Sequence, residues 1–196
     1  MRNALVARGV DAMSCDLLPS ETERPDGWDG HYRGDLIELL DDPEYNFDIG
    51  IFHPDCTFLC NSGVRWLRIQ PGRFKNMLKA RKFFLRCWNE KRIDKIAIEN
   101  PIPHHHAKLP PYTQIIQPWM FGDYETKATC LWLKHLSPLV RHYATAEDCR
   151  RALGLPVGTK PKARVHLASP GPDRWKERSR TSPGIANAMA EQWGTT

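Results

Sequence analysis

Phe47-Asp48-Ile49-Gly50-Ile51-Phe52-His53-Pro54-Asp55-Cys56 is the stretch that decides the fold. Its apolar run, bounded by turn signals, reads as a buried strand over 47–52. Pro54 stiffens the exit from that strand, and a cysteine follows. A second run, Ile96-Ala97-Ile98, forms a strand over 95–98 and ends in Glu99-Asn100-Pro101. Two such strands lying side by side would deliver a thiol and a carboxyl group to the same rim of a sheet. Asn100 would hold the loop that carries Glu99.

Working outward, residues 2–8 followed by Gly9 read as the tail of a helix with a glycine stop. A short strand over 10–15 ends at Asp16, and 19–34 reads as a polar loop ending in His31-Tyr32-Arg33-Gly34-Asp35. Leu36, Ile37, Leu39 and Leu40 make a short helix stopped by Pro43. From Phe74 to Trp88 the residues Phe74, Met77, Leu78, Leu85 and Trp88 follow helical spacing, and Lys75, Lys79, Arg81, Lys82 and Arg86 make the remaining surface basic. Residues 101–112 form a Pro/His-rich loop, 115–119 and 128–133 are further strands, and 142–151 a short helix. An irregular basic loop spans about 154–181. Ser182-Pro183 then opens a last helix, with Ser as cap and Pro in the first turn. Strands alternating with helices predict one α/β domain over 1–196 with a mostly parallel sheet. In such sheets ligands bind beyond the carboxyl ends of the strands, where Asp16, Asp35, Cys56 and Glu99 all fall.

The charge pattern says more than the net +5. Residues 11–48 hold twelve Asp and Glu against Arg24 and Arg33, whereas 65–92 hold ten Lys and Arg against Glu90 alone. Seven more basic residues lie in 160–180, against Asp173 and Glu177. Two basic segments on an otherwise mixed chain are the footprint of a polyanionic partner. No run approaches a membrane span, and no signal-peptide pattern opens the chain. Six scattered cysteines in mostly apolar surroundings predict reduced thiols and a cytoplasmic location. Cys56, Cys60 and His104-His105-His106 lack the paired spacing of a structural zinc site, so no metal is expected.

A thiol beside a carboxyl group suits one reaction well. Carbon 5 of cytosine is a poor nucleophile, but a thiolate adding at C6 turns the ring into an enamine whose C5 attacks an electrophilic methyl group. Cys56 would supply the thiolate, and Glu99 would hold or donate the proton at ring N3. Pro54-Asp55-Cys56-Thr57 and Glu99-Asn100-Pro101 resemble the Pro-Cys and Glu-Asn signatures of the DNA cytosine-C5 methyltransferase family, more closely a compact, phage-carried branch of it. The resemblance extends to Cys15–Pro19, His31–Asp35, Gln117-Pro118-Trp119, Glu125–Thr129 and the ending 178–194.

That resemblance implies a Rossmann-like class I methyltransferase fold, S-adenosylmethionine as methyl donor, and DNA as partner, in a host cell's cytoplasm if phage-encoded. It implies that Asp16 accepts hydrogen bonds from the ribose hydroxyls and that Asp35 sits near the adenine amino group. Asn187 would fall where the family's final motif closes over the cofactor. Lys127 would approximate the basic residue that contacts the base, with Arg65 also on the substrate side.

The departures are equally specific. Asp55 stands where the family has a second proline, and an acid beside a thiol should raise its pKa. The family begins with a strand and a glycine-containing loop that wraps the methionine end of the cofactor. This chain begins in the helix after them, which implies either a start placed too far downstream or a degenerate protein. The large insert that recognises sequence is also lacking, so a nucleic-acid-binding module without catalysis, or an enzyme for free pyrimidine nucleotides, are the competing expectations.

Overall fold

A computed structural model describes residues 1–20, 30–167, 171 and 174–194 of the chain. The elements are α1 (Arg2–Val6), β1 (Ser14–Asp16), β2 (His31–Arg33), α2 (Leu36–Asp41), β3 (Ile49–Phe52), α3 (Arg73–Trp88), β4 (Lys95–Pro101), β5 (Gln114–Ile116), β6 (Thr129–Lys134), α4 (Ala146–Ala152), α5 (Arg164–Leu167), α6 (Arg174–Ser179) and α7 (Pro183–Trp193). Short 3-10 turns lie at Asn61–Leu67, His105–Ala107 and Pro118–Phe121.

The chain is mixed α/β, with its strands in two sheets. β1 and β2 pair parallel by themselves. The second sheet has the order β3-β4-β6-β5, in which β3 and β4 run parallel while β6 is antiparallel to both its neighbours. Parallel pairing thus belongs to the strands up to β4, and antiparallel pairing to those after it.

β4 is covered on both faces, which explains why Ile96-Ala97-Ile98 is continuously apolar. Ile96 and Ile98 join Phe52, Leu59, Met77, Phe84 and Trp132 in the core beneath α3. Ala97 turns the other way, toward Leu131, Ile185, Met189 and Trp193 beneath α7. Burying a side chain such as Phe84 or Ile98 contributes about 1.5–3 kcal/mol. Phe84 and Trp132 meet edge to face, with centroids 5.0 Å apart.

Three expectations need correction. The segment 19–34 is not loop throughout: His31–Arg33 is a strand, and residues 21–29 lie outside the described part. A polar three-residue strand leaves no periodicity; it is fixed by tertiary bonds. Ser14 Oγ lies 2.9 Å from His31 Nδ1, and His31 Nε2 lies 2.9 Å from the Leu18 carbonyl oxygen. In α3, Phe74 and Leu78 are 55% and 44% exposed, and the buried positions are Met77, Phe84 and Cys87. The helix turned its 77–84–87 stripe inward because Phe84 fills the space over Trp132. The basic segment after residue 154 contains α5 and α6, and is pinned where Thr126 N donates to the Lys162 carbonyl (2.9 Å) and Lys162 N to that of Tyr124 (3.0 Å). Residues 168–170 and 172–173 of that segment lie outside the described part.

Candidate active site

The register of the second sheet assembles the site. Phe52 lies opposite Ile98 in the parallel pair, so His53 stands level with Glu99 where β3 ends. β6 runs the other way and pairs Thr129 with Pro101, so Lys127, just before it, arrives at the same rim. Gln117 Oε1 accepts from Lys127 N (2.9 Å), which fixes the approach of that lysine and gives the Gln117 and Glu125–Thr129 motifs a shared structural purpose. Asn100 Nδ2 donates to the Pro54 carbonyl (3.0 Å), and both residues are buried. This bond ties the exit of β3 to the end of β4. Asn100 Oδ1 is buried and has no hydrogen-bond partner.

Glu99 is only 8% exposed yet charged. Its Oε2 lies 3.2 Å from His53 Nδ1 and accepts from Thr181 Oγ1 at 3.1 Å, while Oε1 lies 4.0 Å from Lys127 Nζ. Burial pushes its pKa up, but the His53 hydrogen bond and charge, Lys127 and Thr181 outweigh burial and hold it at about 2. Lys127 Nζ also donates to the Arg180 carbonyl (3.0 Å), so the chain just before α7 closes over this cluster.

Cys56 is half-buried at the start of a helical turn in which Cys60 N donates to the Cys56 carbonyl (3.0 Å). Asp55 caps that turn: its Oδ1 accepts from Thr57 N (2.8 Å) and Thr57 Oγ1 (2.6 Å). Cys56 and Cys60 lie one turn apart and influence each other's ionisation in opposite directions. The sulfur of Cys60 lies 3.0 Å from Ser62 Oγ, and Gly63 N donates to the Cys60 carbonyl (3.1 Å). The Cys60 pKa is lowered, chiefly by Cys56, with burial opposing and Ser62 assisting. The Cys56 pKa is raised, most by its neighbour Cys60, then by burial and by Asp55, with Lys127 opposing. Asp55 therefore acts in the expected direction, but Cys60 is the larger influence. Lys127, 4.0 Å from Glu99, lowers the pKa of both Cys56 and Glu99.

The remaining sequence-predicted residues lie further out. Asp16 and Asp35 stand at the carboxyl ends of β1 and β2, both close enough to Cys15 to raise its pKa behind the larger effect of burial. Both are exposed, and each spends one oxygen on local backbone: Asp16 Oδ1 accepts from Leu18 N (2.9 Å), and Asp35 Oδ1 caps α2 at Ile37 N (2.8 Å). Asn187 is exposed on α7, and Arg65 is exposed over the Trp66 ring at 4.6 Å.

His53, Thr181 and the influence of Cys60 on Cys56 were not foreseen. His53 had a signal, since a histidine directly after a strand end can face the neighbouring strand's end; Thr181 had none, being 82 residues from its partner. The three adjacent histidines differ in burial, His105 being exposed. His104 is buried, its Nδ1 accepts from Ala107 N (3.1 Å), and its Nε2 must therefore donate to the Phe58 carbonyl (2.9 Å). That ring is a strut beneath the turn carrying Cys56 and Cys60.

No family model, curated protein or solved structure matches the chain. Among the described residues, no helix is long and apolar enough to cross a membrane.

Proposed function

We propose that the chain is a DNA cytosine-C5 methyltransferase-like protein in which Cys56 adds to C6 of a cytosine and Glu99 binds the N3 side of the ring. One observation carries this: a thiol and a carboxylate at the carboxyl rim of two parallel strands, with Lys127 acting on both. The split between β1–β2 and β3–β4–β6–β5 also favours the class I methyltransferase fold, in which a further strand lies between the counterparts of β1 and β3.

S-adenosylmethionine supplies an electrophilic methyl group when bound. The exposed carboxylates of Asp16 and Asp35 each keep an oxygen suited to an adenosine's hydroxyls and amino group. The methionine end has only Asn187 among the residues the resemblance assigns, so the fit is to half of the cofactor. The chain's own residues act on the base. Cys56 passes its proton to Cys60 as it attacks, since Cys60 is the neighbouring thiol on the same turn and has the lowered pKa. Glu99 is a carboxylate at rest, and a ring that displaces His53 would remove the main influence holding it so. A protonated Glu99 then becomes available to ring N3. Lys127 stays near enough to offset charge developing between the two groups. A cytosine in a duplex must leave the stack to reach this rim.

The second reading is a nucleic-acid-binding module without catalysis. It is favoured by the same cluster, because Glu99 is neutralised by the protein's own groups and Cys56 holds its proton. Transfer of a labelled methyl group from S-adenosylmethionine to duplex DNA and to dCMP, by the chain and by Cys56→Ser, separates the possibilities. Incorporation abolished by Cys56→Ser supports the enzyme, and the preferred acceptor identifies the substrate. Equal incorporation by Cys56→Ser removes the cysteine from the mechanism. DNA binding without calorimetric binding of S-adenosylmethionine establishes the module.

A further inference from the structure

One face of α3 and the turn after β3 enclose an open cavity of about 320 Å³, lined by Asp55, Phe58, Asn76, Lys79, Ala80 and Phe83. Asn76, Ala80 and Phe83 are spaced four and three apart, so they share a helix face that runs for about 10 Å at 1.5 Å per residue. The opposite wall is tied to the helix by Arg73. Its Nη2 donates to the Thr57 carbonyl (2.9 Å), and its guanidinium sits over the Phe58 ring at 5.1 Å. Thr57 N and Oγ1 both donate to Asp55 Oδ1, which fixes that carboxylate and leaves Oδ2 without a partner among the described residues. Asn76 and Lys79 are exposed, and among the described residues neither side chain has a hydrogen-bond or ion-pair partner. The cavity thus combines two half-buried aromatic rings with a cation, an amide and a carboxylate oxygen that the fold does not use. Small-ligand sites start at about 300 Å³, so this space takes one ligand of mononucleotide size.

We propose that this cavity binds a nucleotide, with the base against Phe58 and Phe83 and the phosphate on Lys79, and that it takes the residue flanking the cytosine presented to Cys56. Aromatic rings accept the face of any base, and a neighbouring cation holds the backbone. Helix α3 carries no acid that would compete with a phosphate for Lys79. Asp55 and Asn76 are left to read the edge of the base. Guanine suits them, because its N1–H and amino group donate to a carboxylate while its O6 accepts from an amide N–H. Asp55 directly precedes Cys56, which puts the cavity beside the candidate site. The binding claim stands on the cavity alone; the flanking role rests on the proposed function.

The test titrates the full chain with dGMP, whose base is neither the proposed target nor the base of the proposed cofactor. Calorimetry gives the affinity, and amide resonances of isotope-labelled protein locate the ligand. The expected result is saturable binding that moves the side-chain amide resonance of Asn76, with deoxyguanosine and deoxyribose phosphate each binding more weakly. Asn76→Ala and Lys79→Ala should each weaken dGMP about fivefold or more. Their thermal melts should not change, since both residues are exposed. Lys82→Ala removes an equal charge from α3 outside the cavity and should leave the affinity for dGMP as it was. Equal weakening by Lys79→Ala and Lys82→Ala would reduce the effect to general attraction by the helix and overturn the site. Shifts confined to other residues, or no saturable binding, would overturn it as well. None of this needs S-adenosylmethionine, so a chain that transfers no methyl groups sinks the proposed function while dGMP still decides the cavity. If methyl groups are transferred, Asn76→Ala should raise the KM for DNA, and an unchanged KM would remove the flanking role.

Discussion

A carboxylate held near pKa 2 inside a protein makes the fold sensitive to acid. Glu99 ionises at about 2 in the folded chain against an ordinary value of 4.5, so its contribution is complete above about pH 4.5 and is lost as pH falls toward 2. The shift corresponds to a contribution on the order of 3 kcal/mol. Urea midpoints should therefore fall between pH 5 and pH 2.5 in the wild type and fall less steeply in Glu99→Gln, with the gap between the two proteins widest at pH 7. Parallel curves would show that the cluster does not stabilise the fold. The thiol pair makes the opposite kind of statement. Because Cys56 lowers the Cys60 pKa below the ordinary thiol value, alkylation of the 34–65 peptide should fall less steeply from pH 8 to pH 6 in the wild type than in Cys60→Ala. A wild-type rate that falls tenfold per pH unit over that range would mean that neither thiol is activated. Cys56 and Glu99 were legible from sequence because each follows a short apolar run, and such runs end at a rim. The influence of Cys60 was not, because which thiols neighbour each other depends on the turn that His104 supports from below.

At the scale of elements, α7 is where the site is closed, and its start is fixed by a close backbone approach. A Cβ on Gly184 would lie 2.2 Å from the Phe121 carbonyl oxygen, so only glycine fits there. Gly184 N donates to Asp123 Oδ2 (2.7 Å), and Ser182 Oγ donates to the same oxygen. Ser182 occupies the N-cap position, but its side chain makes no capping bond to the helix; the carboxylate of Asp123 does that work from across the chain. Gly184→Ala should force α7 away from Phe121, at a cost of about 1–3 kcal/mol, as overpacked sites commonly show. At about 2–4 °C per kcal/mol for a chain of this size, a thermal melt should fall by several degrees. An unchanged melt would mean that α7 is not seated as described. Ser182-Pro183 was a sound helix start in the sequence, yet Asp123 was invisible there, since a cap borrowed from sixty residues away has no local pattern. The apolar stripe of α3 misled for a related reason. Periodicity names apolar positions, but the space around Trp132 chooses which of them turn inward.

Across the whole molecule, charge is divided between segments of the chain. The acidic segment includes the strands and helix that present Asp16 and Asp35, while the basic residues gather on α3 and the turn before it. Lys75, Lys79 and Lys82 are all exposed, and their spacing of four and three places them along one stripe of α3. Arg65 and Arg68 are exposed on the adjoining turn. Helix α3 contains no acidic residue, so among its own side chains nothing of opposite sign neutralises that stripe. Next to it, Asp55, Phe58, Asn76, Lys79, Ala80 and Phe83 line an open cavity of about 320 Å³, which puts Lys79 beside the turn that carries Cys56. If DNA lies along this stripe, each phosphate neutralised should add about 0.9 to the slope of log affinity against log salt. Changing the three lysines together to alanine should then weaken binding of a short duplex and lower that slope by about 2–3, with little change in the thermal melt because none of the three is buried. Fluorescence anisotropy between 50 and 200 mM salt measures the slope directly. An unaltered slope in the triple variant would move the nucleic acid off α3 and leave the basic segment after residue 160 to account for any binding.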